Sequence, residues 1–440
     1  MKLNDELVSL MKENFSKNLL KFARVSGANL IERTRIFDEW ADSRGKTGLV
    51  EFLKTLESTP EPDSRIKNYY GEECRGVNYG NQDYLSLSSH EEVKEAALKA
   101  LREFGPHSAG SGPLQGNTKY TRSLEEKLAS MLKAKGAILY PTGWGAGFGA
   151  IVGLVQTADH ILIDELSHQC LRQGAHAATK KVSNYRHLNT DMVEEKLKKI
   201  RNIDSKNGIL VISEGLFSMD SDSPDVARIQ ELCHEYGATF LLDVAHDFGG
   251  TGPGGLGSLG RQDMVGKVDL VMGSFSKTFA SNGGFVVCNS KSVINYITSF
   301  SGPYTFSNML SPVQAAVVNK GMDIVQSPEG DTLREMSAHH IAYLRGKLTD
   351  RGLHCIGIDS PVVPLLVGDE KVALIANKLM FDKGVSANMI EFPGVPLGKA
   401  RFRLQVMAKH KDEHADMAVD IIDSSIKEAT EIVRKHFSET

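Results

Sequence analysis

Between residues 137 and 290, short apolar runs alternate with stretches of helical spacing, and no other feature of the chain limits its fold so strongly. The runs are AILY, HILID, GILVIS, TFLLD, VDLVMG and GFVVC. Runs this short, without polar alternation, read as strands buried on both faces. Their alternation with helices is the signature of a mainly parallel sheet covered on both sides, because a parallel crossover needs a helix. In such a sheet ligands gather outside the carboxyl ends of the strands. His168, Glu214 to Ser218, Asp243 to His246 and Ser274 to Lys277 all follow directly after apolar runs.

The stretch from Gly136 to Ala158 holds 23 residues without a charge, long enough to suggest a membrane span. Pro141 and glycines 143, 145, 147, 149 and 153 interrupt it, so a buried strand, a glycine-rich turn and a buried helix fit better, and no transmembrane segment is expected. Past Pro312 a long helical stretch leads to PVVPLLVG, VSANMIEF and ARFRLQVMA, set between amphipathic helices. This reads as a smaller α/β domain of about 100 residues. Near the start, Leu7, Leu10, Met11, Leu19, Leu20 and Phe22 recur at loosely helical spacing, and STPEPDS is a linker by composition. A further helix is expected to begin at Ser88 or Ser89, with acids in its first turn. The expected organisation is an N-terminal helical segment over 1–65, a large domain over 66–312 and a small C-terminal domain over 313–440.

Basic and acidic residues number 51 and 55 and are mixed along the chain, for a net charge of −4. No basic face or tail points to nucleic acid. The five cysteines are scattered, with no CxxC or Cys/His cluster, which argues for a reducing compartment, the cytoplasm, and against a disulfide framework or a structural zinc. Asp5, Glu6 and Glu13 rule out a signal peptide at the start of this sequence.

Function is concentrated in GSFSKTFASNGGF, Gly273 to Phe285, where Lys277 follows the run VDLVMG among small hydroxylated residues. A lysine past a strand is ordinarily a solvated surface charge. Here Asp243 and His246 close another strand, 34 residues before the lysine in the case of Asp243. A carboxylate, an imidazole and an amine at the ends of neighbouring strands are what pyridoxal 5'-phosphate (PLP) requires. The lysine forms a Schiff base, the carboxylate pairs with the pyridinium nitrogen, and hydroxyls and backbone N–H groups take the phosphate.

Seven segments in order strengthen this reading: QDYLSL, PTGWGAGFG, DELSHQCLRQGA, SEGLFSMDSDSP, DVAHDFGGTGPGGLG, GSFSKTFASNGGF and ARFRLQVMAKH. From about residue 75 onward the chain resembles the α-oxoamine synthase family, which includes serine palmitoyltransferase and 8-amino-7-oxononanoate synthase. The resemblance implies a fold-type I PLP-dependent transferase, α/β in class, with a large, mainly parallel seven-stranded sheet domain and a small C-terminal domain. It also implies a homodimer. The implied reaction is decarboxylative condensation of a small L-α-amino acid, serine as first choice, with an acyl-CoA or acyl-carrier-protein thioester.

The resemblance assigns roles by position. Lys277 carries the cofactor and Asp243 holds its ring nitrogen protonated. His246 and Ser218 serve the ring's phenolic oxygen, and His168 stacks on the ring. Gly143, Trp144 and Ser274 take the phosphate, and Ser307 and Asn308 reach the neighbouring subunit's phosphate. Arg403 grips the substrate carboxylate, with Arg401 as rival candidate and Gln82 as a further substrate contact. An arginine fork suits a bidentate carboxylate contact. In isolation Asp243 could be a turn cap and His168 a satisfied histidine. Four positions depart from the family pattern: Gly112 where an arginine is usual, Gln82 for asparagine, Val244 for glutamate and Asn308 for threonine or alanine. Two rival readings are an aminotransferase on the same fold and a silent scaffold subunit.

Overall fold

The computed structural model describes residues 4–50 and 52–437. They group into two compact units, one running from Gln82 to Met336 and the other joining the chain up to Asn81 with the chain from Ser337 onward. The larger unit holds seven strands: β1 (Gly136–Tyr140), β2 (His160–Asp164), β3 (Val182–Tyr185), β4 (Ile209–Glu214), β5 (Thr239–Asp243), β6 (Leu270–Ser274) and β7 (Gly284–Cys288). Their order across the sheet is β1-β7-β6-β5-β4-β2-β3. Neighbours from β3 through β6 pair parallel, and only β7 runs antiparallel to both of its partners. The inner strands are buried on both faces, as their unbroken apolar sequences require.

Six of these strands coincide with the apolar runs, while β3 does not. Its sequence, VSNY, is half polar and lies at the sheet edge, where only Tyr185 is fully buried. An edge strand need not carry an apolar run. The uncharged stretch after residue 136 divides into β1 and helix α1 (Gly143–Leu154), and no helix among the described residues is long and apolar enough to cross a membrane. The glycines of α1 let it lie against its neighbours. A Cβ on Gly147 would stand 2.8 Å from the Cys170 sulfur, on helix α2 (Gln169–Ala178).

In the other unit, Val362–Gly368 (β8), Asn388–Ile390 (β9) and Ala400–Gln405 (β10) form an antiparallel sheet with a short strand at His354–Cys355, in the order 354–355, β8, β10, β9. A second sheet joins N-terminal strands Asp63–Lys67 and Glu73–Asn78 to Val385–Ser386. The segment VSANMIEF therefore contributes to two sheets, changing over at Ala387. The parallel pairing brings backbones close at Gly76, whose φ is +151° and where a Cβ would meet the Gly384 carbonyl oxygen at 2.2 Å.

The N-terminal segment is helical over Asp5–Phe15, Leu19–Ala23 and Arg35–Lys46, but it shares one core with the C-terminal part, from Met11 and Leu49 to Phe402 and Ile422. Such long-range pairing leaves no local signal. The helix expected to begin at Ser88 or Ser89 spans Glu91–Phe104, and its cap is His90, whose Nδ1 accepts the Glu92 N–H at 3.2 Å.

Candidate active site

The parallel register sets two carboxylates side by side. Glu214 ends β4, Asp243 ends β5, and the two are direct partners across the strands. Both are buried. Burial raises the pKa of each; for Glu214 the adjacent Asp243 charge adds to it, pushing the group well above the carboxylate range. Asp243 is raised to about 6, burial being opposed by the Lys277 ammonium and by the Ala245 N–H, which donates to Oδ1 at 2.9 Å. Two like charges cannot both persist there, so at neutral pH Asp243 carries the charge and Glu214 the proton.

Lys277 follows β6, the strand next to β5, on a loop held from below. Phe275 and Phe279 are fully buried on either side of it, their rings edge to face at 5.9 Å, while Lys277 itself is half-buried. The Phe275 N–H donates to the Gly283 carbonyl at 3.0 Å and closes the loop. The lysine's charge lowers the pKa of Asp243, Glu214 and Cys170 alike.

His168 is the cap of α2 and is exposed. Its backbone N–H donates to Glu214 Oε1. Its Nδ1 accepts the Cys170 N–H at 3.3 Å and lies 3.0 Å from the Cys170 sulfur. Burial pushes the Cys170 thiol up, so it stays protonated and donates. With Nδ1 accepting, Nε2 bears the proton, which makes the ring's outer nitrogen a donor. Trp144 stands edge-on to His168, ring centroids 6.0 Å apart. His246 is buried and pairs with the Tyr84 hydroxyl at 2.8 Å, and Ser218 is half-buried on the turn that follows β4.

An anion cradle is built at the start of α1. Gly143 lies so close to Ser274 that a Cβ on it would stand 2.5 Å from the Ser274 hydroxyl oxygen, and a Cβ on Gly284 would meet the Gly143 Cα at 2.7 Å. Thr142 caps the helix by accepting the Gly145 N–H at 2.9 Å. The first N–H groups of a helix have no intrahelical carbonyl and sit at its positive end, which suits a phosphate. With Lys277 and the ionised Asp243 after the neighbouring strands β6 and β5, and this cradle after β1 at the same end of the sheet, the donor set fits PLP.

Gln82, Ser307 and Asn308 belong to the same unit. Asn308 Nδ2 lies 3.2 Å from His107 Nε2, and its backbone bridges to Ser111. Beside that bridge the Gly112 departure has a steric cause, since a Cβ there would come within 2.4 Å of the Tyr304 ring. Arg401 and Arg403 lie in the other unit, buried two residues apart on β10, with Arg403 in register between Pro364 and Asn388. Arg401 Nε donates to the Lys399 carbonyl at 3.2 Å.

Sequence reasoning assigned no role to Glu214, Tyr84 or His187. Both nitrogens of His187 meet carboxylates, Nδ1 with Asp164 at 3.0 Å and Nε2 with Asp222 at 3.0 Å. It ties the turn carrying His168 to the turn carrying Ser218. Glu214 stands at the end of an apolar run, where ligands gather, and in the segment SEGLFSMDSDSP, while Tyr84 stands in QDYLSL.

The aminotransferase class I and II family model matches residues 75–422. Serine palmitoyltransferase of Bacteriovorax stolpii is 30% identical over 402 residues, covering 91% of this chain and 92% of that protein. The 8-amino-7-oxononanoate synthase of Petrotoga mobilis is 30% identical over 373 residues, covering 85% and 93%. Among solved structures, serine palmitoyltransferase of Sphingomonas wittichii is similar with a TM-score of 0.84 at 23% identity, over 92% of this chain and 99% of that one. A high-resolution structure of SPT with PLP internal aldimine gives 0.85 at 24%, over 91% and 99%.

Proposed function

We propose, because this chain belongs to the aminotransferase class I and II family and to its α-oxoamine synthase branch, that it joins serine or another small L-α-amino acid to an acyl thioester with loss of carbon dioxide. A carbon–carbon bond forms between the amino acid's α-carbon and the thioester carbonyl. The carbon–sulfur bond and the bond to the carboxylate break, releasing thiol, carbon dioxide and an α-amino ketone. The observation that carries this reading is the charged Asp243 beside Lys277, with a histidine donor at position 168.

Bound PLP supplies an electron sink for the pair left at the substrate's α-carbon. The residues do the rest. Lys277 Nζ holds the cofactor at rest and, once free, takes and returns the α-proton. Asp243, kept ionised by Lys277 and an N–H donor, would hold a proton on the cofactor's ring nitrogen. Gly143, Trp144 and Ser274 hold the phosphate, while His246, oriented by Tyr84, and Ser218 serve the ring oxygen. His168 presents its protonated Nε2 to a substrate carboxylate or carbonyl, which a carbocyclic ring could not do. Arg403 is assigned the amino-acid carboxylate, with Gln82 and Arg401 as further contacts.

Serine and a long acyl chain are the first choice, in keeping with the names of relatives. The carrier is CoA or acyl-carrier protein. A homodimer is also proposed, completed by Ser307 and Asn308 across the interface. Phe306 is 92% and Leu114 80% exposed on the two segments joined by the Ser111–Asn308 bridge, an apolar edge suited to a second copy. Five free cysteines support a cytoplasmic setting.

The deciding experiment supplies serine and an acyl-CoA, traps thiol with a chromogenic reagent and captures carbon dioxide from carboxyl-labelled serine. One thiol and one carbon dioxide per product are expected, and His168→Phe should impair both more than it impairs cofactor binding. Amino-group transfer to a keto acid, with neither thiol nor carbon dioxide released, would make the protein an aminotransferase. No turnover with any amino acid tried, and no cofactor on Lys277, would make it a scaffold.

A further inference from the structure

The smaller unit carries a cluster that the condensation does not use. His339 and His340 stand on the helix that ends at Asp350, and Asp412 is the first residue of the terminal helix, Asp412–His436. One donor atom from each of the three lies within 4.8 Å of the others. His339 Nε2 is 3.0 Å from Asp412 Oδ1, and His340 Nδ1 is 3.4 Å from the same oxygen. We propose that His339, His340 and Asp412 form a binding site for a divalent cation of the zinc type.

Adjacent helix residues point about 100° apart and do not normally share a target. Here they converge because they use different nitrogens, the near Nδ1 of His340 and the far Nε2 of His339. Ligands at about 2.1 Å around a tetrahedral ion stand roughly 3.4 Å from one another. The His340–Asp412 separation of 3.4 Å already has that length, and the His339–Asp412 separation of 3.0 Å is a little shorter. The remaining edge closes by rotation of His339, whose side chain is 58% exposed.

A simple ion pair does not account for the cluster. A lone exposed His–Asp contact is worth only about 0–1 kcal/mol, and it needs one imidazole, whereas two face the same carboxylate oxygen here. Yet His340 Nδ1 is a buried nitrogen that makes no hydrogen bond, and it is aimed at the shared carboxylate. Asp412 is the first residue of its helix. His339 stacks against Tyr343 at 6.0 Å, which supports its ring from behind. Two imidazoles and one carboxylate suit borderline first-row ions rather than magnesium or calcium, and the fourth position opens to water.

The test titrates Co2+ into the PLP-loaded protein in chelator-free buffer, following the ion's visible d–d bands to the red of the cofactor, with Zn2+ as displacing ion. One Co2+ per chain is expected. His340→Ala and Asp412→Asn should each weaken binding by at least ~10-fold, with circular dichroism and cofactor absorbance unchanged. If His340→Ala disturbs the fold, Asp412→Asn, at an exposed helix start, still decides the matter. Equal Co2+ binding in both variants would place the ion elsewhere, for example on His168 and Cys170, and overturn the proposal. So would the absence of d–d bands at millimolar Co2+.

Discussion

Substituting His187 by Gln removes an imidazolium held between two carboxylates. Both ring nitrogens face acids, so both must donate, and only the protonated ring can do so. Burial lowers its pKa, but hydrogen bonds and charge from Asp164 and Asp222 outweigh this and raise it to about 10. Against an unfolded value of about 6.5, the shift is about 3.5 units, or a ceiling of ~5 kcal/mol at 1.36 kcal/mol per unit. The ring is only half-buried, so solvent screening reduces this to ~2–3 kcal/mol. The folded pKa lies above the unfolded one, so the contribution is complete below pH ~6.5 and fades as pH rises to ~10. Urea unfolding of wild type and His187→Gln should therefore differ most at pH 6 and converge by pH 10. Side-chain NMR should show His187 still protonated at pH 8. A stability deficit that is the same at both pH values, or a ring that titrates near 6.5, would refute the reasoning. The same variant should loosen the turns that carry His168 and Ser218, and weaken cofactor retention.

Other expectations concern the site directly. Borohydride reduction followed by peptide mass mapping should place the pyridoxyl mass on Lys277, and a label on another lysine would remove that assignment. Asp243→Asn should bind PLP yet exchange the substrate's α-proton slowly, because an amide lacks the charge that shifts a partner's pKa by about one to three units; unchanged exchange would move the role elsewhere. Arg403→Ala should weaken amino-acid binding roughly 10- to 150-fold, the equivalent of about 1.5–3 kcal/mol for a lost charge-assisted bond, with thioester binding little changed. If Arg401→Ala shows that effect instead, Arg401 is the carboxylate's partner.

The sequence alone determined what is encoded locally. An inner strand of a covered sheet must be largely apolar, so all five inner strands stood out as runs, as did the edge strand β1, and β5 and β6 placed Asp243 and Lys277 at neighbouring carboxyl ends. Phe275 and Phe279, which anchor the lysine loop, lie in the same short motif. What the tertiary structure decided depends on partners far away in the chain. The edge strand β3 carries no burial requirement and so left no apolar run. The N-terminal segment shares the core of the C-terminal part, from Met11 and Leu49 to Phe402, which no composition shift announces. The division of charge between Glu214 and Asp243 follows from register and burial rather than from residue type, since two carboxylates made direct partners in a dry strand end cannot both ionise. Gly112 makes sense only beside Tyr304, and His340 only beside Asp412, because space and hydrogen-bond supply are set where the chain folds back on itself.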